Sequence, residues 1–97
     1  AADCHGPIAL AQCVKPDGTP LVAGLDVTAF SNSEEAVVQQ TDNVPFLIED
    51  KFVELGGIYS KGDDWNPKAV AAGNLITGQN PQSSEVCAAL VVSALKP

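Results

Sequence analysis

The sequence predicts an α/β layered domain, and three observations carry that prediction. Residues 25–30 alternate in polarity around Val27, Thr28 and Phe30, as a half-buried strand does. Residues 31–35 and 45–55 carry helix-start chemistry and a helical apolar period. Residues 69–77 fold back on Gly73 as a tight hairpin, ahead of a last apolar helix. Strands alternating with helices pack as helices against a sheet.

Taken in order, residues 7–14 predict a short helix, with Pro7 in the first turn where its missing N–H costs nothing. Lys15-Pro16-Asp17-Gly18-Thr19-Pro20 has turn composition. Residues 21–23 pair briefly before Gly24, and residues 25–30 form a strand. Ser31-Asn32-Ser33 followed by Glu34-Glu35 supplies capping residues and then acids, the start of a helix. A second helix over 45–55 places Phe46, Leu47, Asp50, Phe52, Val53 and Leu55 at a helical spacing and ends at Gly56-Gly57. Residues 58–60 read as a short strand and 61–67 as a polar loop carrying Trp65. Residues 69–72 and 74–77 flank Gly73. Ser83 or Ser84 caps a helix reaching Ala94, with Val86, Leu90 and Val91 on its buried side.

Composition narrows the function classes. The 97 residues are 45% hydrophobic but only 5% aromatic, so burial rests on Ala, Val, Leu and Ile. Twelve acids against five lysines, with no arginine, give a net charge of −7. Nucleic acid and anionic membrane are therefore not expected partners, because both need clustered cations. No apolar run approaches the ~20 residues of a membrane span. Three cysteines, Cys4, Cys13 and Cys87, match neither a disulfide framework nor a metal-ligand spacing, which points to a reducing, cytoplasmic setting. Cys4 and Cys13, nine residues apart, fall on opposite faces of one helix if both belong to it.

Cys4-His5-Gly6-Pro7 is the motif with chemistry in it. A thiol stands beside the only histidine, ahead of residues that open a helix. Unpaired N–H groups and the helix dipole favour thiolate at such a place, and thiolate is the nucleophilic form. The plainer alternative is a small buried cysteine next to a solvated histidine. Glu34 and Glu35 sit where acids favour any helix start, and Asp63-Asp64 and Trp65 read as an ordinary polar loop. Cys13 and Cys87 receive no role. Only Ala1-Ala2-Asp3 precedes the motif, whereas a nucleophile elbow needs a strand feeding a sharp turn. The sequence is therefore expected to be the C-terminal part, residues 1–97, of a single larger domain, starting at the elbow, or one half of a cleaved one.

Further blocks accompany that motif: Gly18-Thr19-Pro20-Leu21-Val22-Ala23-Gly24, Val27-Thr28-Ala29-Phe30, Val44-Pro45-Phe46-Leu47-Ile48-Glu49-Asp50, Leu55-Gly56-Gly57 and Gly73-Asn74-Leu75-Ile76-Thr77-Gly78-Gln79-Asn80-Pro81-Gln82-Ser83-Ser84. Together they resemble the DJ-1/PfpI superfamily over almost the whole chain, and most closely its Hsp31-like branch of glutathione-independent glyoxalases and stress chaperones. The resemblance implies a flavodoxin-like sandwich, of which the C-terminal portion is present. It implies Cys4 as nucleophile, His5 as acid/base and Glu35 as the acid orienting the histidine, with Glu34 the alternative. It also implies a glutamate on an early strand and oxyanion-site glycines, in a region with no counterpart here. Asp3 departs from the apolar residue usual on the entering strand. A carboxylate there raises the thiol pKa if it faces Cys4, or is a costly buried charge if it faces the core.

In the intact protein the resemblance implies conversion of a 2-oxoaldehyde such as methylglyoxal to a 2-hydroxy acid, a lyase reaction needing no metal or organic cofactor. The expected partners are a small aldehyde, an N-terminal portion of the same protein and a second copy in a homodimer. The alternative is a non-catalytic stress holdase or interaction fragment; weaker ones are a glutaminase-type amidase, which takes its histidine from a late segment where this chain has no second histidine, and a cysteine peptidase, which needs the histidine oriented to protonate the leaving group. The 97 residues alone are expected not to catalyse, and to expose apolar sheet and helix faces.

Overall fold

A computed structural model describes residues 1–96. Among the described residues, two small sheets, three α-helices and two short 3₁₀ helices form a slab with extents of 42 × 32 × 17 Å. The larger sheet has the order β1-β5-β4: β1 (Ala2–Asp3) runs parallel to β5 (Leu75–Gly78), and β4 (Ala69–Ala72) runs antiparallel to it. The smaller sheet pairs β2 (Asp26–Val27) with β3 (Ile58–Tyr59) in parallel. Helix α1 covers Asn32–Val37, α2 Ile48–Glu54 and α3 Ser84–Leu95, the last lying across the β1-β5-β4 sheet.

Several elements follow their local chemistry. Ser31 caps α1 in a capping box: the Glu34 N–H donates to Ser31 Oγ, and the Ser31 N–H donates back to the Glu34 carboxylate. Helix α2 ends on Gly56, whose φ of +86° suits glycine, and the Gly57 N–H donates to Phe52 O at 2.9 Å in a Schellman arrangement. Gly73, at φ +60°, turns the predicted hairpin between β4 and β5. The turn over 15–20 also forms, closed by Lys15 N–H to Thr19 O at 2.8 Å.

Other elements differ from expectation, each for a traceable reason. Residues 7–14 do not make an α-helix; Gly6–Gln12 wind as a 3₁₀ helix, and Val14 leaves it to bridge Pro20. Cys4 precedes that helix and Cys13 follows it, so the two do not share a helical surface. Residues 21–23 form a turn, because the Ala23 N–H closes onto Pro20 O. Of residues 25–30 only Asp26–Val27 join a ladder. Beyond it the Thr28 N–H is taken by Thr77 Oγ1 at 2.9 Å and the Phe30 N–H by Cys4 O at 3.0 Å. Helix α2 starts at Ile48, with Leu47 extended ahead of it. In α3 it is Cys87, Leu90 and Val91 that turn inward, whereas Val86 is exposed. Neither Ser83 nor Ser84 caps that helix through its side chain: Ser83 Oγ donates to Asn80 Oδ1, and Ser84 Oγ donates to Asp3 Oδ2.

Val22, Val27, Ala29, Ile48 and Phe52 form the core, with Ile8, Leu10, Leu25, Leu55, Tyr59 and Leu75 packed around them. Leu95, Val14, Val37, Val53, Ile58 and Val92 all stand more than half open.

Candidate active site

Three segments converge on Cys4. Strand β1 delivers it, and the Cys4 N–H donates to Gly78 O at 3.0 Å on one side while Cys4 O accepts from the Phe30 N–H at 3.0 Å on the other. Between these anchors Cys4 takes φ +62°. A left-handed backbone on a non-glycine residue is uncommon, and such strain gathers where a side chain must be aimed out of a strand-to-helix turn.

Cys4 Sγ lies 3.5 Å from His5 Nδ1, and His5 Nε2 lies 2.8 and 3.1 Å from the two oxygens of Glu35. The imidazole is 48% exposed and the Glu35 side chain 2%. Because only Nε2 faces an acceptor carboxylate, the proton belongs there, which leaves the Nδ1 lone pair toward sulfur. The structure thus brings Cys4, His5 and Glu35 into one row.

Glu34 lies elsewhere. It is fully buried, and its carboxylate accepts from the Ser31 N–H and Oγ, the Trp65 N–H, Gln79 Nε2 and Asn80 Nδ2, at 2.7 to 3.1 Å. Burial pushes its carboxyl up, but those hydrogen bonds outweigh burial and hold it below the ordinary value.

Four residues around the row were not singled out from sequence for it. The Phe30 ring sits 4.3 Å from the His5 ring, and Trp65 meets Phe30 edge-on at 5.7 Å. Gln79 and Asn80 hold the 61–67 loop, through the Gly62 N–H and Asn66 O respectively. Phe30 and the Gln79-Asn80 pair stood in the family-like blocks; only the buried chain of contacts distinguishes them there.

The thiolate expected from the helix start is not favoured. Burial pushes the Cys4 thiol above its usual 9.0; a hydrogen bond from the His5 backbone N–H opposes this, and the charges of Asp3, Glu34 and Glu35 add to the rise. Asp3 reaches Ser84 Oγ with Oδ2 at 2.7 Å, while its buried Oδ1 has no hydrogen-bond partner among the described residues. Asp64 accepts from Ser33 Oγ at 2.6 Å, a loop tie. Cys87 is buried and Cys13 exposed; all three cysteines are free. The depression of about 250 Å³ beside Asp3, lined by Ala1, Ser84, Cys87 and Val91 among others, does not include Cys4 or His5.

No family model matches the chain. The glutathione-independent glyoxalase HSP31 of Saccharomyces cerevisiae is 30% identical over 103 aligned positions, covering 99% of this chain and 43% of that protein. Among solved structures, the 24 kDa rapid encystment protein of Francisella tularensis is 38% identical with a TM-score of 0.95, covering 98% of this chain and 42% of its own. Glyoxalase III of Candida albicans is 28% identical with a TM-score of 0.90, covering 98% and 43%. The chain spans less than half the length of these relatives. No helix among the described residues is long and apolar enough to cross a membrane. By sequence and by fold, the chain belongs to the Hsp31-like branch of the DJ-1/PfpI superfamily, and it aligns with the C-terminal portion of that α/β sandwich.

Proposed function

We propose that the protein carrying this chain is a cysteine-dependent, glutathione-independent glyoxalase acting on a 2-oxoaldehyde such as methylglyoxal, with residues 1–97 forming the C-terminal part of one domain. The observation that carries the reading is the left-handed Cys4 with its sulfur 3.5 Å from a histidine whose far nitrogen is held by Glu35. The names of the yeast relatives supply the substrate class.

In this mechanism Cys4 Sγ adds to the aldehyde carbon as its proton passes to His5 Nδ1, giving a hemithioacetal. His5 Nδ1, 3.5 Å from the sulfur, is the base within reach of that proton. The His5 backbone N–H, which donates to the sulfur at rest, turns to the developing oxyanion as the sulfur is consumed, while the Cys4 N–H stays on Gly78 O. His5 then carries the hydrogen of the former aldehyde carbon, through an enediol, to the neighbouring carbonyl carbon, leaving a thioester. Water hydrolyses the thioester to the 2-hydroxy acid and frees the thiol. Water is the only net addition, so no oxidant or reductant is needed. Glu35 keeps the proton on Nε2 and stabilises the imidazolium. The free cysteines suit a reducing compartment such as the cytoplasm.

Asp3, whose charge adds to the rise of the Cys4 thiol, favours a second reading, a holdase or interaction module. One assay decides. The full-length protein is incubated with methylglyoxal without glutathione, and lactate is followed beside a Cys4→Ala variant. Lactate from the parent and none from the variant is expected. Equal activity in both overturns the covalent mechanism, and none in either favours the second reading.

A further inference from the structure

Glu34 is a buried carboxylate for which the mechanism above has no use. A capping box requires only its bonds with Ser31. Here three more donors arrive from two distant segments: the Trp65 N–H at 2.9 Å, Asn80 Nδ2 at 2.7 Å and Gln79 Nε2 at 3.0 Å. Gln79 Oε1 in turn accepts from the Gly62 N–H, and Asn80 Nδ2 also donates to Asn66 O. The 61–67 loop therefore hangs from Glu34 both directly and through these two amides.

Trp65 is held at φ +62°, a conformation a tryptophan keeps only when its surroundings impose it. Its N–H bond to Glu34 is one such restraint, and its ring closes edge-on against Phe30, whose own face lies against His5. An imidazole 48% open to solvent has room to swing about its own side-chain bonds. Glu35 restrains one end of it. From the next position on α1, Glu34 restrains its flank through Trp65 and Phe30.

We infer that Glu34 is a positioning residue: it fixes Trp65 and Phe30 against the His5 ring, so that Nδ1 stays on Cys4 Sγ while Nε2 stays on Glu35. This rests on the glyoxalase reading only for its kinetic readout. Glu34→Gln keeps the shape but sets an amide N–H₂ against one of two oxygen positions that each already receive at least two donors.

The test is a double-mutant cycle in the full-length protein, with Glu34→Gln, Trp65→Ala and the pair. Two readouts are taken per folded molecule: methylglyoxal turnover, and the rate at which iodoacetamide labels Cys4 at neutral pH, read on the Cys4 peptide by mass spectrometry. A ring displaced by about 1 Å costs on the order of a hundredfold in rate. Each single variant is expected to lose about tenfold or more in kcat with KM within about twofold, and the pair to lose no more than the worse single. Labelling of Cys4 is expected to change alike in both singles and in the pair. Multiplying losses, or singles with parental kcat and labelling, overturn the inference. If the parent has no glyoxalase activity the proposed function falls, and the labelling cycle alone decides this inference. If Glu34→Gln does not fold, Trp65→Ala decides: unchanged turnover and labelling there overturn it.

Discussion

Gly78→Ala tests how tightly the strand before Cys4 is set. Gly78 stands opposite Asp3 in the β1–β5 register and accepts the Cys4 N–H. A methyl group on it would fall inside the contact radius of Asp3 Oδ1, 3.1 Å from Asp3 Cγ and 3.3 Å from Ser83 Cβ. Neither neighbour is free to give way: Asp3 is bonded to Ser84 Oγ, and Ser83 Oγ is bonded to Asn80 and the Lys68 N–H. Overpacking of this kind costs about 1–3 kcal/mol. Displacing Asp3 also loses its bond to Ser84, worth about 1 kcal/mol because Ser84 is exposed. Against this, replacing a strand glycine by alanine gains about 0.5–1 kcal/mol where the backbone permits it. The net loss is about 1–3.5 kcal/mol, read from urea unfolding of the full-length protein. In an Asp3→Ala background only the 3.3 Å contact with Ser83 Cβ remains, and the same substitution should cost clearly less than in the parent. An equal cost in both backgrounds would refute the reasoning, because it would mean that Asp3 is not what the methyl meets.

Two further outcomes follow from charge. Glu34 has a native pKa below its ordinary 4.5, and a depressed carboxyl contributes stability above the unfolded value that is lost as pH falls through the native one. The urea midpoint should drop as pH is lowered below about 4.5, and Glu34→Gln should flatten that limb; a parallel limb in the variant contradicts the assignment. Asp3→Asn removes one of the charges that raise the Cys4 thiol, so the pH at which iodoacetamide labelling of Cys4 turns on should move down. An unmoved or rising midpoint counts against Asp3 acting on the sulfur.

The parts of this molecule that were legible in its sequence are those settled within a few residues. The helix start at Ser31–Glu35, the Gly56 helix stop and the Gly73 hairpin each depend on neighbours along the chain, and each forms as read, the start closing as a capping box between Ser31 and Glu34. The buried face of α3 was legible at Leu90 and Val91 but not at Val86, whose place Cys87 takes, because in a helix so rich in Ala, Val and Leu the apolar period fixes the face only loosely. The strand over 25–30 was overextended because its backbone groups go to Thr77 and Cys4, far away in sequence. The same distance hid the use of Glu34, whose partners lie at 65, 79 and 80. The upward push on the Cys4 thiol was legible only in part: Asp3 stands beside it in the sequence, whereas burial, the largest cause, and the charges of Glu34 and Glu35 arise from packing far along the chain.

The two adjacent acids on α1 look interchangeable on paper, yet they have no common duty. Successive helical positions diverge by about 100°, so one faces the ring and the other faces the loop. Losing or gaining a single residue in the first turn of α1 would rotate both away from their tasks, and neither could deputise for the other. Length variation among descendants of this protein should therefore collect in the exposed stretch 36–43 and spare 31–35, a pattern that a set of related genomes can be asked for directly.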